Sequence, residues 1–176
     1  MLYFGYGSNM PRARIEERVG RCARLGAACL SGWRLAFHKR GADGSAKCDA
    51  SFTGDPGDRL WGALDRMSDD QMDELDRYEQ GYDRRTVQVQ FDGGTVCAVL
   101  YVARASRIGP KLRPYHWYKE LVLAGARELG LPRGYVDSIE AVSSFPDPCR
   151  ERADRNRAVL NEGRLPGPKK SPGLFA

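Results

Sequence analysis

Residues 85–91, Arg-Thr-Val-Gln-Val-Gln-Phe, alternate polar and apolar side chains with period two, the pattern of a strand with one buried face. Asp92-Gly93-Gly94 then reads as a hairpin turn, and residues 95–102 return as the partner strand. The chain opens on a short apolar strand over residues 2–4 that stops at Gly5. Further strands are predicted over 26–38, 48–53 and 59–67, separated by a turn-rich loop over 39–47 and the Gly-Asp-Pro-Gly-Asp turn at 54–58. Helical periods are fewer. Pro11 introduces a short helix over 11–18. Ser68 and Gln71 form a capping box at the head of a second helix, whose apolar face is Met72, Leu75 and Tyr78 and which ends before Gly81. The long helix spans 114–129, with Tyr118, Leu121, Val122, Ala126 and Leu129 on one side, and Gly130 and Pro132 stop it. Shorter helices are expected over 133–140 and 148–162.

Strands outnumber helices and are joined by tight turns rather than helical crossovers. The expected fold class is therefore α+β: a mixed, mostly antiparallel, barrel-like sheet flanked by helices. Residues 1–162 read as one domain, and the Pro- and Lys-rich stretch 163–176 as a flexible C-terminal tail.

The 176 residues suffice for one self-sufficient core, and a composition 41% hydrophobic and 29% charged excludes fibrous and disordered classes. No apolar run approaches the length of a membrane span, and Met1 leads straight into a strand with no leader pattern, so a cytoplasmic protein without membrane partners is expected. Five cysteines and two histidines, with no CxxC pair, give no metal spacing; the cysteines are expected to be reduced and mostly core residues. The formal net charge of +5 raises the question of nucleic acid. The basic residues are dispersed among acids, as in Arg12-Ala13-Arg14-Ile15-Glu16-Glu17-Arg18, and lack aromatic platforms. A solvated surface plus a basic tail is the expected reading, with no nucleic-acid partner.

No P-loop, nucleotide fingerprint or nucleophile elbow is present. Two features remain. Tyr6-Gly7-Ser8-Asn9 stands at a strand end, where successive backbone N–H groups form either a concave anion site or only a turn. Glu79 falls four residues after Leu75, which aims it at the core side. An acid there is costly unless paired or useful. It is either a structural partner of Arg77, Arg84 or Arg85, or a carboxyl whose partial burial suits it to general acid–base work. Asp76 reads as a surface acid.

The stretch YFGYGSNM resembles the opening motif of the γ-glutamylcyclotransferase family, a strand running into Tyr-Gly-Ser-Asn-Leu, with Met10 in place of the leucine. LDRYEQGYDRRTVQV is similar to that family's acidic segment, with Gln80 intervening before Gly81. LWGAL at 60–64, YKELVLAGA at 118–126 and Gly-Leu-Pro at 130–132 continue the likeness over roughly residues 2–162. The resemblance implies a cofactor-independent enzyme that converts a γ-glutamyl-amino acid or γ-glutamyl-amine to 5-oxoproline and a free amine. It implies Glu79 as catalytic acid/base. It assigns substrate binding to Tyr3, Phe4, Gly5, Tyr6, Gly7, Ser8 and Asn9, and to Tyr118 with Tyr115 as its competitor. No metal is implied, the partner is the small-molecule γ-glutamyl substrate, and a homodimer stays open. A tailoring enzyme that removes a γ-glutamyl cap from a biosynthetic intermediate, and a binding module without catalysis, are the alternatives.

Overall fold

The computed structural model describes residues 1–162, so the tail predicted over 163–176 lies outside the described residues. Seven strands and five α-helices follow one another as β1 (Leu2–Gly5), α1 (Arg12–Val19), β2 (Ala23–Ser31), β3 (Trp33–Arg40), β4 (Ala46–Phe52), β5 (Arg59–Arg66), α2 (Asp69–Asp76), β6 (Tyr82–Phe91), β7 (Gly94–Ala103), α3 (His116–Glu128), α4 (Arg133–Glu140) and α5 (Arg150–Glu162). The barrel-like α+β architecture expected from the sequence is the one observed. Five strands close in the order β1-β5-β2-β6-β7, and β3-β4 forms a separate two-stranded sheet.

Closure depends on β1. It runs antiparallel to β5, with Gly5 opposite Ala63, and parallel to β7, with Tyr3 opposite Val99. The alternating segment 85–91 lies within β6, which pairs with β7 from Tyr82–Ala103 to Phe91–Gly94 across the Asp92-Gly93 turn. The capping box forms as the sequence predicts: the Ser68 hydroxyl accepts from the Gln71 N–H, and the Gln71 side chain accepts from the Ser68 N–H.

The single strand expected over 26–38 is two strands. Gly32 turns the chain at φ 78°, in the left-handed region that glycine adopts without a Cβ clash. Its carbonyl accepts from Thr53 N–H, and its own N–H donates to Asp58. β2 therefore stays in the barrel beside β5, while β3 leaves it to pair with β4. The loop predicted over 39–47 shrinks accordingly, since Arg40 and Ala46 already face each other in the ladder.

The main core fills the barrel and the space under α3, where Phe4, Met10, Leu60, Leu64, Leu100, Leu121 and Val122 are buried. A second cluster of Tyr3, Ile15, Cys22, Met67, Met72, Leu75 and Tyr101 seats α1 and α2. Cys22, Cys29 and Cys48 are buried free thiols, whereas Cys97 and Cys149 are exposed ones. Among the described residues, no helix is long and apolar enough to cross a membrane.

Candidate active site

β1 delivers residues 6–9 to one end of the barrel. There the chain reverses in a turn closed by Met10 N–H to the Gly7 carbonyl at 3.0 Å. The turn is anchored from beneath: the Tyr6 hydroxyl donates to the Tyr101 carbonyl of β7. Among the described residues, the N–H groups of Gly7 and Ser8 have no protein acceptor, so both remain available to an anion.

Helix α2 ends at Asp76, three residues short of Glu79. The chain still keeps the helical direction, because Glu79 N–H reaches the Leu75 and Asp76 carbonyls, each at 3.2 Å. The inward aim predicted for Glu79 therefore holds although the helix itself does not extend that far. Its side chain is 13% exposed. Of the arginines expected as structural partners, Arg77 pairs with Glu74 and Arg84 with Asp73 and Asp76, and among the described residues Arg85 forms no ion pair with Glu79 either. Asp76 is half-exposed, as expected of a surface acid, and also accepts from the Tyr101 hydroxyl.

The residue that meets Glu79 is Arg18, at the end of α1, with Nη1 3.2 Å from Oε1. Asn9 joins them: Nδ2 donates to Glu79 Oε1 at 2.9 Å and to the Tyr3 hydroxyl at 2.9 Å, while Oδ1 accepts from Arg18 at 2.6 Å. Both contacts to Glu79 fall on Oε1. Among the described residues Oε2 has no protein partner, which leaves one carboxylate oxygen for a ligand.

A narrow inner chamber, about 30 Å³, is lined by Gly7, Ser8, Asn9, Glu79, Tyr82 and Tyr118, with Tyr3, Tyr6, Cys48 and Tyr101 around them. It meets a wider vestibule of about 300 Å³ at Ser8, Glu79, Tyr82 and Tyr118. The phenols of Tyr82 and Tyr118 bracket the Cys48 peptide: the first donates to its carbonyl at 2.6 Å, and the second accepts from its N–H at 2.9 Å. This pins the β3–β4 hairpin to the chamber. Burial, then the negative charge of Glu79, push the Tyr3 phenol well above its usual range, and burial does the same to Tyr6, Tyr82 and Tyr118. All four are neutral hydrogen-bonding groups near pH 7. Burial also pushes the Cys48 thiol up to about 12, which removes it as a thiolate nucleophile.

Of the residues singled out in the sequence, Glu79, Tyr3, Tyr6, Gly7, Ser8, Asn9 and Tyr118 converge on this chamber. Phe4 and Gly5 line neither space: Phe4 is a fully buried barrel residue, and Gly5 is a strand residue paired with Ala63. Tyr115 caps α3 from outside, packs on Phe145 and donates to the Asp43 carbonyl, so Tyr118 is the tyrosine facing the chamber. The vestibule also gathers Arg14, Arg18, Lys39, Arg40, Lys47 and Arg107, which the sequence presents as dispersed surface charge. Arg14 and Arg18 stand four apart on one helix face, a spacing that places them on the same side of α1 but does not say what that side meets. Lys39 and Arg107 carried no such signal; only the hairpin and the turn after β7 bring them together. No group of three or more His, Cys, Asp or Glu side chains that could hold a metal occurs among the described residues.

The closed barrel thus presents, at one end, a donor loop, a sheltered carboxylate and a cation-rich mouth. The chain matches the AIG2-like family over residues 59–139, a span that includes Glu79 and Tyr118. It is 28% identical to human γ-glutamylcyclotransferase over 153 residues, covering 80% of this chain and 78% of the relative. The mouse γ-glutamylcyclotransferase is 28% identical over 149 residues with the same coverage. A solved γ-glutamyl cyclotransferase structure shares the fold with a TM-score of 0.78 at 24% identity, covering 91% of this chain and 98% of that one. In sequence the chain is thus similar to these γ-glutamylcyclotransferases, at 28% identity, and it shares the fold of the solved one.

Proposed function

We propose that the protein cyclises a γ-glutamyl compound to 5-oxoproline and releases the amine that the γ-carboxyl had carried. The observation that carries this reading is the Glu79 carboxylate, sheltered, held through Oε1 and free at Oε2, beside two unoccupied N–H donors. The shared name of the curated relatives supports the same activity class.

In this reaction the nucleophile is the substrate's own α-amine. Glu79 takes a proton from the α-ammonium, and the freed nitrogen attacks the γ-carbonyl carbon to close a five-membered ring. Holding the substrate in the cyclising conformer supplies the proximity that a bimolecular attack lacks. The carbonyl oxygen becomes an oxyanion facing the N–H groups of Gly7 and Ser8. Collapse breaks the bond to the leaving nitrogen. The two protons surplus to the ring nitrogen pass through Glu79 to the leaving nitrogen, which departs as an ammonium, so atoms and charge balance. Asn9 and Arg18 hold the carboxylate in place throughout, and Tyr118 walls the chamber.

The test is direct. Purified protein is incubated with γ-glutamyl-amino acids, γ-glutamyl-amines and glutathione, and 5-oxoproline is read by mass spectrometry. Oxoproline from at least one class is expected; its absence from all of them would favour a binding module. Tyr118→Phe is expected to lower turnover by less than about tenfold, and to cost about 1–2 kcal/mol of stability by leaving the Cys48 N–H without its acceptor. A larger turnover loss in Tyr115→Phe than in Tyr118→Phe would reverse the assignment of the two tyrosines.

A further inference from the structure

The cyclisation needs one carboxylate and a few donors, yet the vestibule holds far more charge than that. Arg14, Arg18, Lys39, Arg40, Lys47 and Arg107 line it, against Glu79 as the single lining acid. Three of these cations have a carboxylate within ion-pair distance: Arg14 with Glu17, Arg18 with Glu79 and Lys47 with Asp43. Among the described residues, Lys39, Arg40 and Arg107 have none.

Lys39 is the most telling of these. It is 6% exposed, its ammonium donates to the Gln80 carbonyl at 2.7 Å, and it lies 4.4 Å from the centre of the Tyr82 ring. A buried ammonium satisfied only by a carbonyl and an aromatic face is costly, and an anion placed beside it offsets that cost. Gly81 lies between Lys39 and Arg107: a Cβ there would sit 3.4 Å from Lys39 Cε and 3.0 Å from Arg107 Cγ. The two cations therefore share one side of the vestibule, on either side of Gly81, which follows Glu79 by two residues.

The direction of the substrate follows from the two spaces. The ring-closing end must reach Gly7, Ser8 and Glu79 in the inner chamber, so the leaving group extends outward into the vestibule. We propose, resting on the cyclotransferase reading above, that the Lys39–Arg107 wall selects γ-glutamyl substrates whose leaving amine carries at least two negative charges, as a dicarboxylate or a phosphate. The same wall disfavours polyamine leaving groups, because a cation there meets Lys39, Arg40 and Arg107, while the single lining carboxylate, Glu79, serves the ring-closing end.

The experiment compares kcat/KM for γ-glutamyl-ethylamide, γ-glutamyl-alanine, γ-glutamyl-aspartate, γ-glutamyl-phosphoethanolamine and γ-glutamyl-putrescine. A rise of about tenfold per added negative charge is expected, the scale of one charge-assisted hydrogen bond, with putrescine the poorest. Whichever of the aspartate and phosphoethanolamine compounds is faster distinguishes a dicarboxylate from a phosphate. In Lys39→Gln the aspartate-to-ethylamide ratio falls by about tenfold; in Arg107→Gln, an exposed site that leaves the fold intact, it falls by about threefold. Equal rates across the series, or an unchanged ratio in Arg107→Gln, would overturn the selectivity while leaving cyclisation standing. If no compound yields 5-oxoproline, the cyclotransferase reading fails instead. Calorimetry with γ-glutamyl-aspartate and γ-glutamyl-ethylamide then decides the wall separately: tighter binding of the first, weakened in Arg107→Gln, upholds it, and equal or absent binding sinks it.

Discussion

Glu79→Gln lowers kcat/KM for 5-oxoproline formation by about a thousandfold, within the range that a positioned general acid–base contributes. The substitution is nearly isosteric. The amide oxygen takes the place of Oε1 and continues to accept from Asn9 and Arg18, so the anchoring geometry survives. What changes is the other position: the oxygen that faces the chamber becomes an NH2 group, which cannot take a proton from an ammonium. The loss therefore falls on kcat rather than on folding, and the unfolding temperature stays within a few degrees of the parent. Turnover and thermal unfolding measured side by side check this. Full activity in the variant would remove Glu79 from the proton path. A loss of activity together with a large fall in unfolding temperature would make it a structural partner of Arg18.

Much of this site was legible along the chain because its parts are local. The Ser68–Gln71 capping box starts α2 wherever that helix packs, and the i+4 step from Leu75 still aims Glu79 inward even though the last turn frays at Asp76. The alternation in 85–91 and the Asp92-Gly93 turn set a hairpin from nearest neighbours alone. The parts that were not legible depend on distant partners. Barrel closure rests on one parallel contact between Tyr3 and Val99, 96 residues apart in sequence, and no local pattern encodes it. The split at Gly32 is fixed by Asp58 and Thr53, which a continuous apolar–polar run over 26–38 does not reveal. Arg18 was hidden for another reason: an arginine among acids on a short helix reads as solvated until α1 is laid against the loop that carries Asn9. The cationic vestibule combines both effects, since α1 brings two of its charges, the β3–β4 hairpin three and the turn after β7 one.

Gly125→Ala is expected to destabilise the protein by about 2 kcal/mol and to damage the site from a distance. Gly125 lies in the middle of α3, the helix that carries Tyr118 and Trp117, where alanine would ordinarily gain up to about 1 kcal/mol over glycine. Here that gain is outweighed. A Cβ at this position would stand 2.3 Å from Met10 Cβ and 2.7 Å from both the nitrogen and Cδ of Pro11. These atoms are backbone or attached directly to it, so no side-chain rotation relieves the overlap. Forcing extra volume into such a contact costs about 1–3 kcal/mol or more. Met10 is fully buried and directly follows the turn that presents Gly7, Ser8 and Asn9. Relief therefore comes from sliding α3 or lifting the turn, and either separates Tyr118 from the donors it faces. A fall of about 4–8 °C in unfolding temperature follows from the stability loss. A loss of about tenfold in kcat/KM follows from the misplaced turn. Gly134→Ala in α4 is the control, because a Cβ there meets nothing within 4 Å. Equal behaviour of the two variants would show that α3 does not rest on the Met10–Pro11 backbone. A temperature drop in Gly125→Ala with unchanged kcat/KM would show that the helix bears on the fold but not on the donor turn.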